Sequence, residues 1–188
     1  MILKKEITSH FLITLIWLGG LTVLKLIFNL KSFLVYPGVF SWFLFWLGAL
    51  IGTMVLDLDQ LIYALLISPE EKAKELWQRK KIKELLIYLA DTSSSRFRLP
   101  FHNIVFQVLF MIFSFLILTS TASFLGKGLV MAMNLHLLKD EIHLLLKGKE
   151  EQLRTWLFWP IKREVSPEEQ RIFLGLMGLL FLWLNFLL

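Results

Sequence analysis

The stretch "GTMVLDLDQLIYALLI", residues 52–67, sets Asp57 and Asp59 inside a run that otherwise reads as membrane-spanning. On insertion scales an aspartate at the centre of a spanning helix is unfavourable by about 2.5–3.5 kcal/mol. Two of them, two residues apart, call for a cation, a proton path or a buried partner. The apolar block that contains them covers residues 39–67. At about 1.5 Å per residue that is well beyond a hydrocarbon core of about 30 Å, so a tilt or a break near the aspartates is expected.

The rest of the chain fits the same environment. It is 56% hydrophobic and only 19% charged over 188 residues, with a mean hydropathy of +0.66. A soluble domain is nearer half apolar and a quarter charged. Further apolar blocks cover residues 11–30 (interrupted by Lys25), 101–124, 128–146 and 172–188. The expected fold is therefore all-α: a polytopic membrane helical bundle of about five transmembrane helices forming a single integral-membrane domain. The first block lacks a small-residue cleavage motif and is expected to remain as a span. Cysteine is absent, which excludes disulfides and thiolate metal sites.

Basic residues give the expected orientation. Of the 20 lysines and arginines, all but Lys25, Lys31, Lys127 and Lys139 lie at the N-terminus, between blocks two and three, or between blocks four and five. The positive-inside rule then puts the N-terminus in the cytoplasm and the C-terminus outside. A net charge of +5 spread over these segments suits an anionic leaflet, so membrane lipids rather than nucleic acid are the expected partners. Ser68, Pro69, Glu70 and Glu71 read as a helix start, and an amphipathic cytoplasmic interfacial helix is expected over about 69–90. The same start signal recurs at Ser166, Pro167, Glu168 and Glu169, before the last block. Trp156 and Trp159 between them suit headgroup level.

Placing the polar residues by depth brings three blocks to a similar level near the cytoplasmic face. Block two delivers Asp57 and Asp59, block three begins with His102, and block four carries His136, Asp140 and His143 on one helical face. Asp57 and Asp59 are about 200° apart on a regular helix and reach one ion only if the helix breaks. Carboxylates and imidazoles without thiolate suit one or two divalent ions such as Zn²⁺, Mn²⁺ or Fe²⁺. Such a site lowers the pKa of a bound water and directs hydroxide at an ester or phosphoester. Gln107 is a candidate outer donor. Glu141, on another face, is expected to pair with a basic neighbour. His10 precedes the first span with no partner assignable from sequence, and Lys25 is expected to snorkel. Gly48 and Gly52 form a G-x-x-x-G that permits close helix packing.

Three motifs carry a resemblance. "DLDQ" (residues 57–60), "FRLPFHN" (97–103) and "HLLKD" (136–140) occur in the order of the D-x-D-H, H-R-G-x-T-H-S and H-x-x-x-D motifs of the membrane-bound metal-dependent hydrolases. The chain resembles this family, the LexA-regulated inner-membrane hydrolases of bacteria, over about residues 48–143. The resemblance implies Asp57, Asp59, His102, His136 and Asp140 as metal ligands, with Arg98 matching the motif arginine. Gln60, Phe97 and Asn103 stand where the family has histidine, histidine and serine, which implies a smaller ligand set. The function implied is a hydrolase acting on a phospholipid-like substrate. One of the aspartates would act as general base, and Arg98 would anchor an anionic group through its bidentate fork. The alternatives are a non-catalytic scaffold, in which these residues form a structural network, and a metal-ion transporter. A transporter needs polar residues continuing to the outer face, where the spans look dry. Phosphate-binding glycine loops, nucleophile elbows and H-E-x-x-H helices are absent.

Overall fold

A computed structural model describes the backbone of residues 2–34, 38–93, 96, 98–120 and 122–188, with side chains from residue 8 onward except 29–34. All regular structure among these residues is helical. In chain order the helices are α1 (Ile2–Leu34), α2 (Gly38–Val55), α3 (Leu58–Ile62, continued by a wider π turn over Tyr63–Ile67), α4 (Glu71–Gln78), α5 (Ile82–Asp91), α6 (Ile104–Ser120), α7 (Phe124–Leu146), α8 (Glu150–Phe158) and α9 (Pro167–Asn185). Two stretches, Thr8–Phe28 and Gly38–Ile67, are long and apolar enough to cross a membrane, and α6 is a shorter apolar helix.

The pair α2 and α7 forms the centre of the fold. Gly48 and Gly52 of α2 face Gly128 of α7, and the two backbones touch. A Cβ on Gly48 would lie 2.0 Å from the Leu125 carbonyl oxygen, one on Gly52 2.4 Å from that of Leu129, and one on Gly128 2.0 Å from that of Phe45. Lipid tails compete equally for apolar side chains, so helices in a bilayer gain most from close backbone approach over small residues. The G-x-x-x-G of α2 serves this purpose within the chain.

Helix α1 lies against α2, where Leu18, Trp42, Phe45 and Ala49 bury together with Ala132 of α7. A buried hydrogen bond joins the Thr14 and Thr53 hydroxyls at 3.0 Å. Helix α6 is tied to α7 by Asn134, whose amide donates to Ser114 Oγ at 2.7 Å. At the far end of α9, Trp17 Nε1 donates to Asn185 Oδ1 at 2.8 Å. Lys25, expected to snorkel, donates to the Leu188 carbonyl at 3.0 Å, with its ammonium over the Trp42 ring.

The long second block breaks at the aspartates. Backbone bonding tightens to three-residue spacing, with Asp57 N–H on the Met54 carbonyl and Asp59 N–H on that of Leu56. It then widens, with Ser68 N–H reaching back to the Tyr63 carbonyl. Helix α2 ends before Asp57 and α3 starts after it on a new phase.

Two sequence expectations are revised here. The helix expected over 69–90 is two helices, α4 and α5, separated at Arg79–Lys81, where Lys80 takes a left-handed φ of 55°. Its start also differs from its twin's. Ser166 caps α9 in a capping box with Glu169, and Pro167 occupies the first turn. At the other copy α4 begins only at Glu71, without a side-chain cap. Glu70, just before it, is held by Arg96. Its buried guanidinium grips the Glu70 carboxylate at 2.9 and 3.0 Å and takes the Leu89 carbonyl at 2.8 Å. These bonds hold the Glu70 carboxyl below the usual glutamate range. Trp159 is exposed, while Trp156 turns inward.

Candidate metal centre

Four parts of the chain meet: α1 with His10, the α2–α3 break with Asp57 and Asp59, the turn before α6 with His102, and α7 with His136, Lys139 and Asp140. The break separates the two aspartates. Asp57 faces His136, its Oδ1 3.7 Å from His136 Nε2, and its side chain is 44% exposed. Asp59 is fully buried and turns the other way, its Oδ2 accepting from His102 Nδ1.

Both imidazoles are held in the same way. His136 Nδ1–H donates to the Thr53 carbonyl at 2.7 Å. His102 Nδ1–H donates to the Asp59 carboxylate. In each neutral ring the lone pair is therefore on Nε2, and both Nε2 atoms lie near Asp140 Oδ2, at 3.2 Å for His136 and 3.7 Å for His102. His136 Nε2 is buried and has no hydrogen-bond partner among the described residues. A backbone carbonyl or carboxylate on the far nitrogen is the usual outer support of a metal-binding histidine.

The spacing fits an ion. Ligands at about 2.0–2.1 Å from a tetrahedral zinc are about 3.3 Å apart. His102, His136 and Asp140 offer donor atoms that all lie within 4.8 Å of one another, and so do His10, Asp57 and His136. This is a pair of buried His/Asp clusters that can hold a metal ion. Three carboxylates, at Asp57, Asp59 and Asp140, meet one ammonium, at Lys139, in this part of the fold. Trp156 closes one side, its ring 4.9 Å from that of His102.

The remaining candidates fall elsewhere. Arg98 is exposed, and the buried arginine is Arg96, whose partners are structural. Asp59, expected as a ligand, supports His102 from behind. His143 is exposed, and at about 1.5 Å per residue it lies about 10 Å along α7 from His136, past the level of the α2–α3 break. Gln107 is buried and donates to Glu141 Oε1, so the partner of Glu141 is an amide in place of the expected base. At the departures from the family motifs, Gln60 accepts a 3.4 Å bond from Arg96, and Asn103 accepts from the Phe106 N–H at the start of α6. Phe97 lies outside the described residues.

His10 is the member missed by sequence reasoning. Its ring stacks on that of His136 at 4.1 Å between centroids, and its Nε2 is 3.6 Å from Asp140 Oδ1. The available signal was its i, i+4 spacing with Thr14, two polar residues on one face of an apolar stretch.

The chain matches no family model, no curated protein and no solved structure.

Proposed function

We propose that this protein is a membrane-embedded metal-dependent hydrolase, a divergent relative of the inner-membrane family its motifs resemble. In this reading α1, α2–α3, α6, α7 and α9 are the five spans, the N-terminus is cytoplasmic and the C-terminus is outside. The observation that carries the reading is the pairing of two imidazoles, each fixed through Nδ1, whose Nε2 atoms both lie within 3.7 Å of one oxygen of Asp140.

His102, His136 and Asp140 would hold one divalent ion, Zn²⁺, Mn²⁺ or Fe²⁺. Three protein ligands and an open position are the catalytic pattern, whereas four closed ligands are the structural one. Bound there, the ion supplies Lewis acidity and a water of lowered pKa. Asp57, the exposed carboxylate beside His136, is set to take the proton from that water as general base. Asp59 keeps His102 in its tautomer. Trp156 and the apolar face of α6 limit bulk water, which suits an ester or phosphoester of a lipid-like substrate entering from the cytoplasmic leaflet.

The test is metal content by inductively coupled plasma mass spectrometry on detergent-purified protein, followed by hydrolysis of phospholipid and carboxylester panels. The expected result is one ion per chain, lost in both His136→Ala and His102→Ala. Asp57→Ala should keep the ion but hydrolyse at least about a hundredfold more slowly, as for loss of a general base. A wild type that takes up no metal after addition of Zn²⁺, Mn²⁺ and Fe²⁺ would leave the non-catalytic scaffold as the reading.

A further inference from the structure

Lys139 stands in a position that a cation of a different kind could take. Its side chain is 8% exposed, and its Nζ lies 2.9 Å from His10 Nε2 and 2.9 Å from Asp140 Oδ1. Those two acceptors are 3.6 Å apart, close enough for both to sit about 2.0–2.1 Å from a single ion. Asp57 shares a cluster with His10 and His136. Asp140 thus divides its carboxylate, with Oδ2 toward the two supported imidazoles and Oδ1 toward the ammonium. A carboxylate shared between two ions would present its oxygens in the same way.

We propose that Lys139 is an internal substitute for a second metal ion. The centre would hold one divalent ion, and the Lys139 ammonium fills the neighbouring position between His10 Nε2 and Asp140 Oδ1. The chemistry follows from the donors. An ammonium offers protons to lone pairs that a metal would accept directly, and its single positive charge partly offsets the Asp140 carboxylate without coordination. Its stem is anchored one residue from Asp140 on α7, so the cation is delivered whenever the helix forms. Removing the ammonium leaves the lone pairs of His10 Nε2 and Asp140 Oδ1 facing one point. That is a vacant second site for Zn²⁺ or Mn²⁺.

This inference rests on the reading that His102, His136 and Asp140 hold the first ion, and the experiment separates the two. Wild type, Lys139→Met, Lys139→Gln and His10→Ala/Lys139→Met are purified in detergent, equilibrated with Zn²⁺ or Mn²⁺ and analysed for metal per chain. Wild type should hold one ion, Lys139→Met and Lys139→Gln two, and the double variant one. With Mn²⁺, electron paramagnetic resonance should change from the resolved hyperfine spectrum of an isolated ion to a broadened, spin-coupled signal in Lys139→Met. One ion in wild type and still one in whichever of the two lysine variants folds would overturn the proposal while leaving the first site standing. No ion in wild type removes the first site, and this proposal with it.

Discussion

The Thr53 carbonyl oxygen lies 2.7 Å from His136 Nδ1, across the contact between α2 and α7. Thr53 follows Gly52, and His136 lies two turns beyond Gly128, so the glycine seam that brings the backbones together also fixes the His136 ring, a proposed metal ligand. Packing and chemistry share one interface.

Enlarging that seam should therefore affect both. Gly128→Ala puts a methyl 2.0 Å from the Phe45 carbonyl, which backbone movement alone can relieve. We expect a loss of about 1–3 kcal/mol, the range for overpacking, together with weaker metal binding as Thr53 and His136 separate. Gly178→Ala on α9, with no atom within 4 Å of the added carbon, should change neither. Thermal unfolding in detergent and a metal titration of both variants would check this.

Asp59 touches His102 and belongs to neither His/Asp cluster among the described residues. Asp59→Asn should keep metal stoichiometry but weaken affinity about 10- to 100-fold, as outer-support substitutions do. Competition with a chelator of known affinity measures this. Outright loss of the ion would make Asp59 a direct ligand.

Away from the cluster, the Glu70–Arg96 pair should give a pH-dependent stability. Arg96 holds the Glu70 carboxyl below its ordinary value of 4.5 in the folded chain. A depressed pKa means the contribution is fully present above the unfolded value and is lost as pH falls below about 4.5 toward the folded one. Glu70→Gln should be less stable than wild type at pH 7 by about 2 kcal/mol, the scale of a charged hydrogen bond. The two melting curves should converge in acid. A gap that persists unchanged to pH 3 would show that the pair does not act through ionisation.

Gln107 gives Glu141 its only hydrogen bond among the described residues, and Glu141 Oε2 is already buried without a partner. Gln107→Leu should destabilise the protein by about 1–3 kcal/mol, because it strands a buried acceptor. Gln107→Glu/Glu141→Gln, which exchanges the two ends of the bond, should recover most of that loss in the same unfolding assay.

How much of this was legible beforehand differs by level. The helical class follows from long apolar blocks, and the break at Asp57 follows from a block too long for one helix and carrying two charges. The start of α9 follows from four residues, Ser166 to Glu169, because a capping box is closed by local bonds. The identical tetrad at Ser68 misled: α4 starts only at Glu71 without a side-chain cap, and Glu70 is engaged by Arg96, 26 residues away. Among the site residues, His102, His136, Asp57 and Asp140 were visible as polar groups at matching depth. Their division of labour was not.

Depth along a helix is a one-dimensional quantity, set by about 1.5 Å of rise per residue, and sequence alone determines it. Which way a side chain turns, and what meets it there, depends on neighbouring helices brought in from distant parts of the chain. Only the tertiary structure sends Asp59 behind His102 and Asp57 toward His136, because the α2–α3 break resets the helical phase between them. Only it carries His10 from the first helix to the ring of His136, 126 positions away, and sets Lys139 between His10 and Asp140. Sequence determined the residues and their level; packing at the α2–α7 seam decided which of their atoms converge.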